Sequence, residues 1–128
     1  MVTIYCLYIR SVAEQSSVVW SSSLTVGEQH DLERIQKVAL RIILGENYIS
    51  YENALYLTNL KTLKVRRAQL SKKFALRCTR NDMTSDMFPL SEKNVNTRNP
   101  EKYCVTRART SRLATSAIPT MQRQLNKM

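Results

Sequence analysis

The stretch Thr25-Val26-Gly27-Glu28-Gln29-His30-Asp31-Leu32-Glu33-Arg34-Ile35-Gln36-Lys37-Val38-Ala39-Leu40-Arg41-Ile42-Ile43-Leu44-Gly45 decides the fold class. It opens on the T-x-x-E spacing of a capping box, in which the threonine hydroxyl takes the N3 amide and the glutamate reaches back to the threonine N–H. Leu24 stands where a staple residue belongs. Leu32, Ile35, Val38, Ala39, Ile42 and Ile43 recur at helical spacing. Gly45 occupies the place of a left-handed residue after the helix. Glu33–Lys37 is a stabilising i,i+4 pair and Lys37–Arg41 a repulsive one. A helix over 26–44 follows.

On either side the pattern stays helical. Ile4, Tyr8, Val12, Gln15 and Val19 share one face of an expected helix over 3–20, which begins without a capping residue. Ser21-Ser22-Ser23 is a connector. Ser50 caps a short helix with Ala54, Leu55 and Leu57 turned inward and Asn59 at its end. Thr62 caps a helix over 63–80 whose apolar seam is Leu63, Leu70, Phe74 and Cys78. From 81 to 117 the chain is rich in Asn, Thr, Ser and Arg. Within it Met87-Phe88-Pro89-Leu90 is one apolar knot, Thr97-Arg98-Asn99-Pro100 a turn, and Tyr103 and Val105 an extended segment. Ser116-Ala117-Ile118-Pro119 leads into a last short helix over 119–126, with proline tolerated in the first turn.

The 128 residues suffice for one ordinary domain, and 32 of them are Leu, Ile, Val or Phe, enough to build a core. With only 2 Gly and 3 Pro, a turn-rich β architecture is disfavoured. The expected fold is all-α, a small bundle of four to five helices with a basic, partly irregular C-terminal tail. No apolar run is long enough to span a bilayer, and residues 1–3 carry no charged signal-peptide region, so an intracellular protein without a membrane partner is expected. Cys6, Cys78 and Cys104 are odd in number and widely spaced, so buried reduced thiols are expected.

Charge is unevenly spread. Residues 1–60 carry four Lys/Arg against six acids, and residues 61–128 carry sixteen against four, which accounts for the whole excess of +10. Residues 63–80 contain Lys64, Arg66, Arg67, Lys72, Lys73, Arg77 and Arg80 and no acid. A helix of like charges repels itself, so an external polyanion is the expected partner. Chemistry of other kinds is missing from the pattern. His30 is the single histidine, the cysteines lack metal-ligand spacing, and there is no glycine-rich phosphate loop, nucleophile elbow or apolar strand with paired acids. No cofactor, small-molecule substrate or catalytic activity is therefore expected of this chain alone.

Tyr8-Ile9-Arg10-Ser11-Val12-Ala13-Glu14, Ser17-Val18-Val19-Trp20 and Leu32-Glu33-Arg34-Ile35-Gln36-Lys37-Val38-Ala39-Leu40-Arg41-Ile42-Ile43-Leu44-Gly45 resemble the end of a jockey-like non-LTR retrotransposon reverse transcriptase. The resemblance continues through Tyr51-Glu52-Asn53-Ala54-Leu55, Leu60-Lys61-Thr62-Leu63, Arg66-Arg67, Lys73-Phe74-Ala75, Phe88-Pro89 and Thr97-Arg98-Asn99. It extends to Lys102-Tyr103, Ala108-Arg109-Thr110, Ser116-Ala117-Ile118-Pro119 and Leu125-Asn126, and so covers nearly the whole chain. Gln15 stands where an aromatic is expected, and Lys64-Val65 where acids are frequent. Cys78, Cys104 and His30 cannot build the zinc knuckle of more distant relatives.

The resemblance implies a fragment: a thumb-like helical domain over 1–80 and a C-terminal extension over 81–128, without the palm's Asp-Asp motif or the endonuclease. Its expected partners are a template–primer duplex, such as an RNA–DNA hybrid, and a palm domain. Contacts to phosphate would fix register without reading bases. From charge alone the nucleic-acid-binding candidates are Arg66, Arg67, Lys72, Lys73, Arg77, Arg98, Arg107, Arg109 and Arg112. Docking of the basic helix on an acidic protein is the alternative, and a relic without function is another. Tyr8, Trp20, Tyr48, Tyr51, Tyr56 and Phe74 are expected in the core, and Tyr103 is the one candidate for stacking on a base.

Overall fold

The computed structural model describes residues 1–91 and 102–127. Of these 71% are helical, in seven helices, and none forms a strand, so the fold is all-α. Helix α1 runs through Val2–Ile4, Tyr5–Arg10 and Ser11–Glu14, and its middle six residues form a π-helix. Gln15 leaves helical geometry at ψ 126°, and Ser16 turns the chain at φ 52°. Helix α2, Ser17–Trp20, follows and tightens into a 3₁₀ turn at Ser21–Ser23. The single helix expected over 3–20 is thus broken. Serine side chains compete for backbone hydrogen bonds and weaken a helix where they cluster.

Helix α3, Val26–Leu44, has the capping box its sequence announces. Thr25 N donates to Glu28 Oε2 at 2.8 Å, and Glu28 N donates to Thr25 Oγ1 at 3.3 Å. Gly45 ends it at φ 53°, ψ −120°, a backbone region that suits glycine. Helix α4, Tyr51–Thr58, is capped by Ser50, whose Oγ accepts from Asn53 N at 3.1 Å. Asn59 closes it in the left-handed conformation, and Leu60 N reaches back to Leu55 O at 3.0 Å. Helix α5, Leu63–Cys78, starts from Thr62, whose Oγ1 accepts from Val65 N at 3.3 Å. Helices α6, Ser111–Ala114, and α7, Ala117–Asn126, complete the chain. Thr110 caps α6, a helix in a stretch read as irregular. Ser116 precedes α7 without capping it, because its Oγ donates to Leu113 O at 2.7 Å.

The chain packs as two units. The first comprises Met1–Ser17 and Leu24–Ala68, the second Val18–Ser23 and Gln69–Met128. The boundary expected at residue 80 falls inside the second unit, because residues 69–80 pack with the C-terminal segment. That unit's core is Ala75, Cys78, Phe88, Met121 and Leu125, with Val18, Leu76, Tyr103 and Ala117 against it. Among its described residues Leu90 and Tyr103 form one antiparallel bridge, with Ser91 N donating to Lys102 O and Cys104 N to Pro89 O.

Several faces differ from the expected ones. Ile4, Tyr8, Val12 and Val19 are exposed, and Tyr5 is the buried residue of α1. A π-turn holds more residues per turn than an α-turn, so the 3.6-residue phase is lost across Tyr5–Arg10. On α3 the buried residues are Gln36 and Leu40, while Ile35, Val38 and Ile42 face outward. On α4 Ala54 is buried and Leu57 exposed. On α5 the buried line is Leu63, Arg67, Ser71, Ala75 and Cys78, which turns Phe74 outward and leaves Leu70 half-buried. Tyr8, Tyr56 and Phe74 are therefore not core aromatics. The cysteines are all free, Cys78 buried, Cys6 half-buried and Cys104, against expectation, exposed. No helix among the described residues is long and apolar enough to cross a membrane.

Candidate nucleic-acid interface

Helix α5 carries the first group of basic candidates, and its buried line sorts them. Arg67 stands on that line and is only 4% exposed. Burial lowers its pKa, while the charges of Glu33 and Glu14 act to raise it. Its guanidinium is a buried part of the first unit, not a solvent-facing contact for a ligand. Arg66 is half-buried, and its Nε bridges both oxygens of Glu14 at 3.2 and 3.4 Å. The same carboxylate takes Arg10 Nε at 3.2 Å, four residues back on α1. Arg66 is thus engaged in an ion pair inside its own unit.

Lys72, Lys73 and Arg77 behave differently. All three are exposed, and Lys73, Arg77 and Arg80 follow one another at i, i+4 and i+7 on one side of the chain at the end of α5. None of them has a carboxylate within ion-pairing distance among the described residues. Like charges on one helical face repel each other, and an anion laid across that face relieves the repulsion.

The second group sits in the C-terminal segment. Asn126 on α7 grips the backbone of Tyr103 twice, taking its N–H at 2.8 Å and giving its own amide to the carbonyl at 2.9 Å. One turn earlier on α7, Gln122 accepts from Thr106 N and donates to Met87 O, both at 2.8 Å. Two amides at i,i+4 thereby hold extended chain against a helix in place of a strand partner. Arg107, Arg109 and Arg112 follow this clamp, and all are exposed without an ion pair among the described residues. Arg98 and the Thr97–Pro100 turn lie outside the described residues. Tyr103 is half-buried against the core, and Lys102 Nζ sits 5.7 Å from its ring centre, so the stacking candidate is committed to packing.

A network that sequence reading missed organises the first unit. Tyr5 OH donates to Gln36 Oε1 at 2.9 Å, and Gln36 Nε2 donates to Tyr51 OH and to Lys61 O, both at 3.0 Å. Tyr51 OH in turn donates to Glu33 Oε1, and the Glu33 carboxylate accepts Leu63 N at 3.1 Å and Lys64 N at 3.4 Å. Glu33 therefore caps the start of α5 from another helix, and negative charge is favourable there. Burial pushes the Tyr5 phenol up to about 12, and it raises Tyr51 too, helped by the hydrogen bond to Glu33. No signal in the sequence links these residues: Tyr51 is expected in the core only as an apolar ring, and Gln36 sits at a position that also suits a solvent-facing surface.

The second unit also holds an open groove of about 570 Å³ lined by Thr79, Ser85, Asp86, Phe88, Pro89, Leu90 and Tyr103. Asp86 is its single charged residue. No group of three or more His, Cys, Asp or Glu among the described residues is placed to hold a metal. The sequence matches no protein-family model, and neither the curated proteins nor the solved structures give a match.

Proposed function

We propose that this chain is a non-catalytic piece of a reverse-transcriptase-like polymerase, the thumb and C-terminal region, which binds a template–primer duplex through phosphate contacts without reading bases. The reading rests on the resemblance in the sequence. The observation that carries it is the charge of the second unit: twelve Lys and Arg against four acids. Lys72, Lys73, Arg77, Arg107, Arg109 and Arg112 are exposed there and free of ion pairs among the described residues. Arg66 and Arg67 drop out of the contact set because the first unit uses them. The test is binding of the full chain to a short labelled RNA–DNA hybrid across a salt series. A steep loss of affinity with salt, reduced in the Lys72→Gln/Lys73→Gln/Arg77→Gln variant on every sequence alike, is the expected result. Affinity that is flat with salt, or lost on some sequences only, contradicts the proposal.

A second reading, docking on an absent palm or another protein, has its own support in α1. Ile4, Leu7, Tyr8 and Val12 are each more than half exposed along it, large apolar side chains that a docked protein would cover. Replacing Leu7 and Tyr8 by Lys should then abolish capture of a separately produced palm domain and leave hybrid binding intact.

A further inference from the structure

We infer that Thr110 is the acceptor site of an arginine-directed serine/threonine protein kinase. Such a kinase reads an exposed, extended segment by setting carboxylates against arginines at fixed distances before the hydroxyl. Of all the serines and threonines in the chain, only Thr110 and Thr115 have a Lys or Arg three residues before them, Arg107 and Arg112 respectively. Residues 102–128 contain no Asp or Glu, so no side chain of this segment repels an acidic cleft.

Backbone and hydroxyl geometry choose between the two. Thr115 follows the turn of α6 at φ −92°, ψ 0°, and its hydroxyl donates to Ser111 O at 3.1 Å and to Arg112 O at 3.2 Å. Its proton is committed, and the residues before it are helical. Thr110 stands at φ −124°, ψ 151°, an extended conformation. Its Oγ1 accepts from Leu113 N at 3.3 Å and donates to no group among the described residues. The Gln122 clamp on the extended chain ends at Thr106. Beyond it Arg107, Ala108 and Arg109 make no backbone hydrogen bond among the described residues, and both arginines and Thr110 are exposed. Residues 107–110 can therefore enter a cleft without unfolding. On their far side α6 is only one turn long, which opens at little cost.

In the transfer the bond from the γ-phosphorus of ATP to its bridging oxygen breaks and a bond from Thr110 Oγ1 to that phosphorus forms. The hydroxyl proton passes to the kinase's catalytic carboxylate, and ADP leaves. The phosphate sets about −1.5 to −2 charges among Arg107, Arg109 and Arg112. Its consequence for binding, unlike the acceptor site itself, rests on the nucleic-acid proposal: the arginines would turn to the phosphate and away from the duplex.

Incubation of the full chain with MgATP and a purified kinase that requires arginine three residues before its acceptor tests the inference. Mass-spectrometric mapping should find the phosphate on Thr110. Thr110→Ala should abolish labelling, Thr110→Ser should retain it, and Thr115→Ala should leave it unchanged. Arg107→Gln, at an exposed position, should lower kcat/KM for phosphorylation on the order of tenfold with an unchanged circular dichroism spectrum. A chain that is not labelled, a phosphate mapped to Thr115 or elsewhere, or an Arg107→Gln variant labelled at the wild-type rate overturns the inference. Hybrid binding by the two forms is then compared across salt. The phosphorylated chain should show a slope shallower by about 2, the loss of two phosphate contacts. Equal slopes overturn the consequence for binding. An unmodified chain that does not bind at all overturns the nucleic-acid proposal and leaves the acceptor site to stand on its labelling.

Discussion

Gln36 is fully buried, and both ends of its amide are used: the oxygen by Tyr5, the nitrogen by Tyr51 and Lys61. Such a residue contributes less by the bonds it makes than by the polar groups it would leave unmatched if removed. Gln36→Ala should cost about 2–3 kcal/mol in urea unfolding, as it opens a cavity and strands the Tyr5 hydroxyl and the Lys61 carbonyl. The Tyr5 phenol, raised to about 12 by burial, gives the pH dependence its sign. The unfolded chain releases this proton near pH 10 and the folded chain only near 12, so its stabilisation is complete below 10 and is lost as pH rises between them. Tyr51 acts in the same direction. Stability followed from pH 9.5 to 12 should fall, and fall less steeply in Tyr5→Phe. Arg67 separates structure from binding. Arg67→Gln should lower stability by about 1–3 kcal/mol and leave the salt slope of hybrid binding unchanged, since its guanidinium is buried. A shallower slope would mean that the side chain reaches the ligand after all.

Helix ends followed local chemistry closely. Thr25, Ser50 and Thr62 cap the helices they were expected to cap, and Asn59 stops α4 in the left-handed conformation. Caps depend on residues within three or four positions, so they are legible without knowledge of packing. Faces were less legible. The aliphatics of α3 divide between its two sides, and α5 buries Arg67 and Ser71 where Leu70 and Phe74 were expected. The break between α1 and α2 was invisible for the same reason, as apolar spacing runs straight through Gln15 and Ser16. Ser16 holds φ 52°, a conformation that costs a residue with a Cβ about 1–2 kcal/mol. Ser16→Gly should therefore raise stability by about 0.5–1 kcal/mol in thermal unfolding, after the greater chain entropy of glycine is counted. Ser11→Gly, inside α1, should lower it by about 0.5 kcal/mol.

Across the chain, charge and packing divide along similar lines. The first unit nearly balances its charges and buries part of them; the second keeps the cations among its described residues at the surface. Each phosphate contact on duplex DNA contributes about −0.9 to the slope of log affinity against log salt. If Lys72, Lys73 and Arg77 each touch one phosphate, the triple glutamine variant should flatten the slope by about 2–3. Its unfolding midpoint should hold steady, since none of the three makes an ion pair among the described residues. The site was thus partly readable. Net charge located the basic half of the chain, but only burial could divide Arg67 from Lys73, six positions away on the same helix.

Composition and short-range pattern were enough for the all-α class, the caps, α3 from end to end and the excess of positive charge, because helix propensity, capping and net charge are sums over neighbours. Which side of each helix turned inward was settled by partners distant in the chain. Tyr5 finds Gln36 across 31 positions, and Arg66 finds Glu14 across 52. A buried hydroxyl, amide or guanidinium is tolerated only where its matching group arrives, and that arrival is a property of the packed tertiary structure.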